Sequence, residues 1–311
     1  MATKMSSTHQ SLALLLFFLL TLSSAHAKGD IAVYWGQHSG DGTLSSTCDT
    51  GNYGIVLLAF LNTFGCSQDP ALNLPGNCGS GPSCNKLQPE IEHCQQKGVK
   101  VFLSLGGPTG QYFLCSPEDA GTVADYLYNN FLSDKGGPLG SVALDGIDFD
   151  IEIGQDVYWD KLVSELDTRR KTKGRFFYLS ASPQCFFPDP KLDTAIRTWL
   201  FDYIFIKFYN NPKCQYNSNT GDNSLLTSSW NQWSSYVKEN NKVYLGLPAR
   251  PDAAPIGGYI PSQELCSRVL PKVKQIPNYG GVMLWDRSYD VTTTFSDNIK
   301  ACVEVVTVSQ M

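Results

Sequence analysis

Read for apolar and polar positions, the chain resolves into eight short runs dense in Val, Ile, Leu, Phe and Tyr. They are IAVYW (31–35), IVLLAF (55–60), KVFLSL (100–105), LDGIDFDIE (144–152), FFYLSA (176–181), YIFIKFY (203–209), KVYLGL (242–247) and GGVMLW (280–285). Runs of this length and composition predict strands. Helical patterns lie between them at residues 87–97, 120–131, 158–169 and 262–274, punctuated by Pro89, Gly98 and Pro261. Strand–helix alternation predicts parallel strands joined by right-handed crossovers. Eight strands are what a closed barrel needs, so the predicted fold class is α/β, a single-domain (β/α)8 TIM barrel. The competing doubly wound sheet lacks a Gly-rich dinucleotide fingerprint after the first strand. Residues 63–86 and 210–223 are polar, follow strands, and so fall at the C-terminal mouth, where loops shape active sites.

One run breaks the apolar pattern. DGIDFDIE places four acids in eight residues, Asp145 to Glu152. Strand side chains alternate faces, so Asp148, Asp150 and Glu152 share one face while Ile147, Phe149 and Ile151 share the other. In a barrel the acid face points inward and its later residues lie at the mouth. Crowded, poorly solvated carboxylates push at least one pKa up, which is how a site obtains a general acid. Stability does not select this pattern, because an unpaired buried charge costs several kcal/mol. The alternatives from periodicity are acids paired with Lys or Arg, or a calcium site. Tyr34, Trp35, Gln37, Phe60, Tyr209 and Trp285 stand at or just past strand ends. Each alone reads as core packing; together they suit a sugar ring.

Composition narrows the setting. With 42% hydrophobic and 17% charged residues among 311, the chain is globular, and its net charge of −5 supplies no basic stripe, which excludes nucleic acid as a partner. Residues 1–27 read as a secretory signal: Lys4, the apolar run Leu12 to Leu22, then Ala25-His26-Ala27. That run is too short for a good membrane span. The expected organisation is signal 1–27, catalytic domain 28–302 and tail 303–311, in a secreted protein, extracellular or vacuolar, that is a monomer without membrane attachment. All ten cysteines follow the signal, which predicts disulfides. With no C-x2-C pair and only His38 and His93 beyond the signal, no metal site is expected.

DGIDFDIE resembles the signature of glycoside hydrolase family 18. AVYWGQ (32–37), LAFLNTFG (58–65), SLGG (104–107), SPQCFFPD (182–189), FYNNPKCQY (208–216), LGLPA (245–249) and GGVMLW (280–285) resemble plant class III chitinases. The resemblance implies an endochitinase cleaving β-1,4 bonds between N-acetylglucosamine units of chitin or chito-oligosaccharides, with peptidoglycan as a side substrate and defence against fungi as the setting. In this family the substrate assists. By resemblance, Glu152 is the general acid, and the 2-acetamido carbonyl of the sugar attacks the anomeric carbon. Asp150 orients the acetamido N–H, Asp148 shares a proton with Asp150, and Tyr209 donates to the acetamido oxygen. Trp285 floors the subsite, and Tyr34, Gln37, Phe60, Gly106, Gly107 and Lys207 line the cleft. Asp145 lies off the inward face and is assigned a structural role. No cofactor is implied, since the substrate supplies its own nucleophile. The resemblance further implies the disulfides Cys48–Cys94, Cys78–Cys84 and Cys185–Cys214. Cys66 with Cys115, and Cys266 with Cys302, are hypotheses for the remaining four.

Three departures accompany the resemblance. Lys207 stands where active members carry Gln, two residues before Tyr209 and on its inward face; a cation in the mouth would favour ionised acids or pair with Asp150, and the alternative is that its flexible chain swings away to solvent. Pro108 replaces a third Gly after SLGG and removes an N–H. LWDR (284–287) resembles the xylanase-inhibitor branch of the fold. These keep a second reading open: a chitinase barrel acting as a lectin, storage protein or glycosidase inhibitor without turnover.

Overall fold

In a computed structural model, which describes residues 29–304, eight strands form one closed parallel barrel. They are β1 (Asp30–Trp35), β2 (Ile55–Phe64), β3 (Lys100–Gly107), β4 (Gly146–Ile151), β5 (Tyr178–Ala181), β6 (Tyr203–Lys207), β7 (Lys242–Pro248) and β8 (Tyr279–Trp285). Each pairs with the next, and β8 pairs with β1, so no barrel edge is left open. All eight coincide with the apolar runs, and the barrel reading holds. The signal assigned to residues 1–27 and tail residues 305–311 lie outside the described residues. Val303 and Glu304 belong to a closing helix, Phe295–Glu304.

The strand period sorts side chains into two cores. Ala32, Tyr34, Ile55, Leu57, Ala59, Phe102, Phe205, Tyr244 and Met283 fill the barrel interior. Ile31, Val33, Trp35, Val56, Leu58, Ile147, Phe149 and Ile151 point outward and pack with helical residues such as Ile91, Leu127 and Leu162. Trp35, grouped above with the cleft aromatics, therefore belongs to the outer core. The predicted helices appear as Gln88–Gln96, Pro117–Phe131, Trp159–Thr172 and a composite Ser262–Glu264, Leu265–Val269, Leu270–Val273. The Pro117–Phe131 helix starts earlier than its apolar pattern because Ser116 caps it, accepting the Asp119 N–H. Residues 63–86, read as a loop, carry a hairpin, Ala71–Leu74 with Gly79–Gly81, whose first strand runs antiparallel to the end of β2.

All ten cysteines are paired: Cys48–Cys94, Cys66–Cys115, Cys78–Cys84, Cys185–Cys214 and Cys266–Cys302. Both hypothesised pairs are present. Among the described residues no helix is long and apolar enough to cross a membrane.

Candidate active site

The acid face of β4 points into the barrel as its alternation requires. Asp148 is fully buried. Its Oδ1 accepts from Ser180 Oγ (2.7 Å) and Ser182 Oγ (3.1 Å), and its Oδ2 accepts from Ser104 Oγ (2.6 Å) and Tyr34 Oη (3.1 Å). Burial raises its pKa while these hydroxyls pull the other way. Both oxygens thus rest on hydroxyls, with no hydrogen bond to Asp150. One step up, Asp150 is also buried. Burial and the carboxylates of Glu152 and Asp148 push its pKa up, opposed by Lys207. Glu152 sits just past the strand at the mouth, its side chain 26% exposed.

Lys207 is the central finding at this site. It ends β6, faces inward and is only 2% exposed. Its Nζ donates to Asp150 Oδ1 and, at 2.8 Å, to Glu152 Oε1. Burial alone would lower the Lys207 pKa, but the Asp150 and Glu152 carboxylates outweigh it and hold the ammonium charged. The expectation that Lys207 pairs with Asp150 is met, and Glu152 joins the pair.

A cavity of roughly 400 Å³ opens above these groups, lined by Glu152, Lys207, Tyr209, Trp285, Gln184 and Asn210, with Pro108, Phe186 and Asn211 completing the wall. The Tyr209 hydroxyl has no protein partner among the described residues. Burial and the Asp150 and Glu152 carboxylates hold it protonated, against the pull of Lys207, so it stays a donor. Trp285 rests on Tyr34 (centroids 5.4 Å apart, edge-on) and Phe60 (6.1 Å, stacked).

Several residues expected to line the cleft instead support it. Tyr34 and Phe60 are buried beneath Trp285. The Gln37 amide donates to the carbonyls of Ala59 (2.7 Å) and Asn73 (3.0 Å), tying the β1 and β2 ends to the hairpin. Gly106 and Gly107 pack behind the floor: a Cβ would lie 2.5 Å from the Asp150 carbonyl at Gly106 and 2.8 Å from the Phe60 ring at Gly107. Both have positive φ, which favours glycine. Asp145 is structural, its Oδ2 accepting the Val101 N–H (2.8 Å) and Gln95 Nε2 (3.1 Å). Arg287 turns away from the cleft onto Tyr53, Thr47 and Asp290.

Sequence reasoning missed Gln184, Phe186, Asn210 and Asn211 as individuals, although the segments that carry them were singled out. It missed Tyr112 altogether. The Tyr112 hydroxyl donates to the Gly107 carbonyl (2.6 Å) and accepts the N–H groups of Glu152 and Ile153 (both 3.1 Å). No local pattern marks a lone Tyr in a Gly-rich loop for that task.

Comparison with known proteins agrees with this geometry. Residues 30–254 match the glycosyl hydrolases family 18. An acidic endochitinase of Cicer arietinum is 50% identical, covering 93% of this chain and 97% of that protein. The crystal structure of a chitinase from Ipomoea carnea superposes with a TM-score of 0.84 at 49% identity, covering 88% of this chain and all of that one. A xylanase and α-amylase inhibitor protein from Scadoxus multiflorus superposes with a TM-score of 0.82 at 44% identity, covering 88% of this chain and 99% of its own. A closed barrel, three acids on one inward face of its fourth strand and a match over most of the described chain place this protein in glycosyl hydrolase family 18.

Proposed function

We propose that this protein is an endochitinase that hydrolyses β-1,4 bonds between N-acetylglucosamine units. The observation that carries this reading is the joint placement of Glu152, Tyr209 and Trp285 in one cavity directly above Asp150 and Asp148. Glu152 protonates the glycosidic oxygen. Trp285 supports the apolar face of the sugar. Tyr209 donates to the acetamido oxygen as the acetamido group attacks the anomeric carbon, and Asp150 takes the acetamido N–H and stabilises the growing positive charge. For this to happen Glu152 must carry a proton and part from the Lys207 ammonium that it accepts from here.

The test is cleavage of a chitin hexamer, followed by mass spectrometry across pH 3–8. Cleavage that falls about 10²–10⁴-fold in Glu152→Gln, with binding retained, supports the reading. Hydrolysis unaffected by that substitution overturns it.

The Lys207 ion pair favours a second reading, in which the barrel binds chito-oligosaccharide without turning it over. Binding by calorimetry without cleavage in the wild type, and cleavage gained in Lys207→Gln, would select it.

A further inference from the structure

A second group of donor side chains lies at the barrel rim and is used by neither the acid face nor the cavity. His38 follows β1, Asp41 closes the short turn Ser39–Asp41, and Asp286 follows Trp285 at the end of β8. Barrel closure makes β1 and β8 neighbours, so residues 248 positions apart meet. His38 Nδ1 lies 2.7 Å from Asp286 Oδ2. One donor atom each from His38, Asp41 and Asp286 lies within 4.8 Å of the other two.

Asp41 is the telling member. It is 0% exposed. Its Oδ2 accepts the N–H groups of Gly36 (2.8 Å) and His38 (3.1 Å), but its Oδ1 is buried with no hydrogen-bond partner. A buried carboxylate oxygen left unpaired is costly and calls for an explanation. The cation beside it, His38, turns its ring nitrogen to Asp286 instead, and the arginines near Asp286 are engaged elsewhere. Arg287 is engaged by Tyr53, Thr47 and Asp290, and Arg250 by Asp252, Thr292 and the Tyr289 ring.

We propose that His38, Asp41 and Asp286 form a divalent-cation site that takes Zn²⁺. One imidazole and two carboxylates are a mixed nitrogen–oxygen set that suits this ion. Ca²⁺ wants about 6–8 oxygen ligands and Mg²⁺ a near-octahedral oxygen shell, and the cluster offers neither. Three protein ligands leave a fourth position for water on the half-exposed His38 side. The ligands are already oriented: Asp286 Oδ1 caps the helix Arg287–Thr293 through the N–H groups of Ser288 (3.1 Å) and Tyr289 (3.4 Å), and Asp41 Oδ2 is fixed by backbone N–H groups. The ion displaces the proton between His38 and Asp286 and takes up the free Asp41 oxygen. It ties the end of β8, which carries Trp285, to the loop after β1. Counting histidines argued against zinc; the tertiary structure brings two carboxylates to one histidine.

The test uses the full, disulfide-intact protein after chelator treatment, titrated with ZnCl₂ by calorimetry and by native mass spectrometry. One Zn²⁺ per chain is expected, with a raised Tm. His38→Ala and Asp41→Asn should each weaken binding about tenfold or more and remove the Tm shift, whereas His93→Ala should change neither. Asp41→Asn keeps an oxygen for the Gly36 and His38 N–H groups, and circular dichroism confirms that each variant is folded. No binding to the wild type, or unchanged binding in either His38→Ala or Asp41→Asn, overturns the site. The readouts do not involve chitin, so failure here is distinct from failure of the endochitinase reading.

Discussion

At the residue scale the decisive feature is a lysine where the family pattern leads one to expect an amide. An ammonium between two carboxylates compensates buried charge, and removing one partner of such a group is costly, about 3–5 kcal/mol where the other charge stays buried. Lys207→Gln leaves Asp150 without its cation. The Asp150 pKa is then governed by burial and by its acidic neighbours, both of which raise it. A carboxyl raised on folding stabilises the fold at pH below its unfolded value, and that contribution is lost as pH rises through the folded value. The stability gap between wild type and Lys207→Gln should therefore be small near pH 4 and widen towards pH 7, as urea denaturation at several pH values would show. The same substitution should raise kcat and extend activity to higher pH, because no fixed cation then favours the ionised acid. An unchanged kcat and pH profile would assign Lys207 a purely structural role.

Tyr112 acts at the same scale but through the backbone. Its hydroxyl satisfies one carbonyl and two N–H groups around the Glu152 main chain. Tyr112→Phe strands those buried groups and should cost about 1–3 kcal/mol. It should lower kcat more than it raises KM, since the acid loses its anchor while Trp285 and its support remain. Steady-state kinetics beside thermal melts would separate the two effects.

At the element scale, the strands supply the catalytic face and the loops supply the walls. The β5 loop carrying Gln184 and Phe186 is joined by Cys185–Cys214 to the β6 loop carrying Asn210 and Asn211. This cross-link closes 29 residues of chain separation, for which loop entropy alone suggests about 3.6 kcal/mol. Replacing both cysteines by Ser should lower stability by that order and raise KM for a chitin hexamer more than it lowers kcat. An unchanged KM would show that the walls are held by packing alone. The elements that were hard to read were of two kinds. The helix Ser224–Tyr236 is rich in Ser, and its buried apolar anchors are Leu226, Trp230 and Trp233, a stripe at positions i, i+4 and i+7 hidden among polar residues. The hairpin after β2 looks like loop because its strands are short and its turns rich in Gly and Cys; it pairs with the end of β2, at Leu61 and Thr63.

At the scale of the whole molecule, five disulfides spread over the barrel exterior and its loops. With every cysteine paired, alkylation of the unreduced, denatured protein should add no label. Reduction should lower Tm by roughly 10 °C or more, given what each closed loop contributes. A labelled thiol would place at least one pair in error.

What the sequence determined by itself is whatever depends on local period and residue type. The eight strands, the inward face of Asp148, Asp150 and Glu152, and the outward face of Ile147, Phe149 and Ile151 follow from alternation along a strand. The family follows from DGIDFDIE and the matching strand ends. Which distant groups touch was settled only by folding. Lys207 could have swung to solvent, but burial beside two carboxylates holds its ammonium on Asp150 and Glu152. Gln37, Gly106 and Gly107 looked like cleft residues and became its supports, because their partners come from neighbouring strands. His38, Asp41 and Asp286 share no motif and meet because closing the barrel sets β8 against β1. Period is written along the chain, whereas contact between strands arises only when the sheet closes, and the chemistry of this site lies in those contacts.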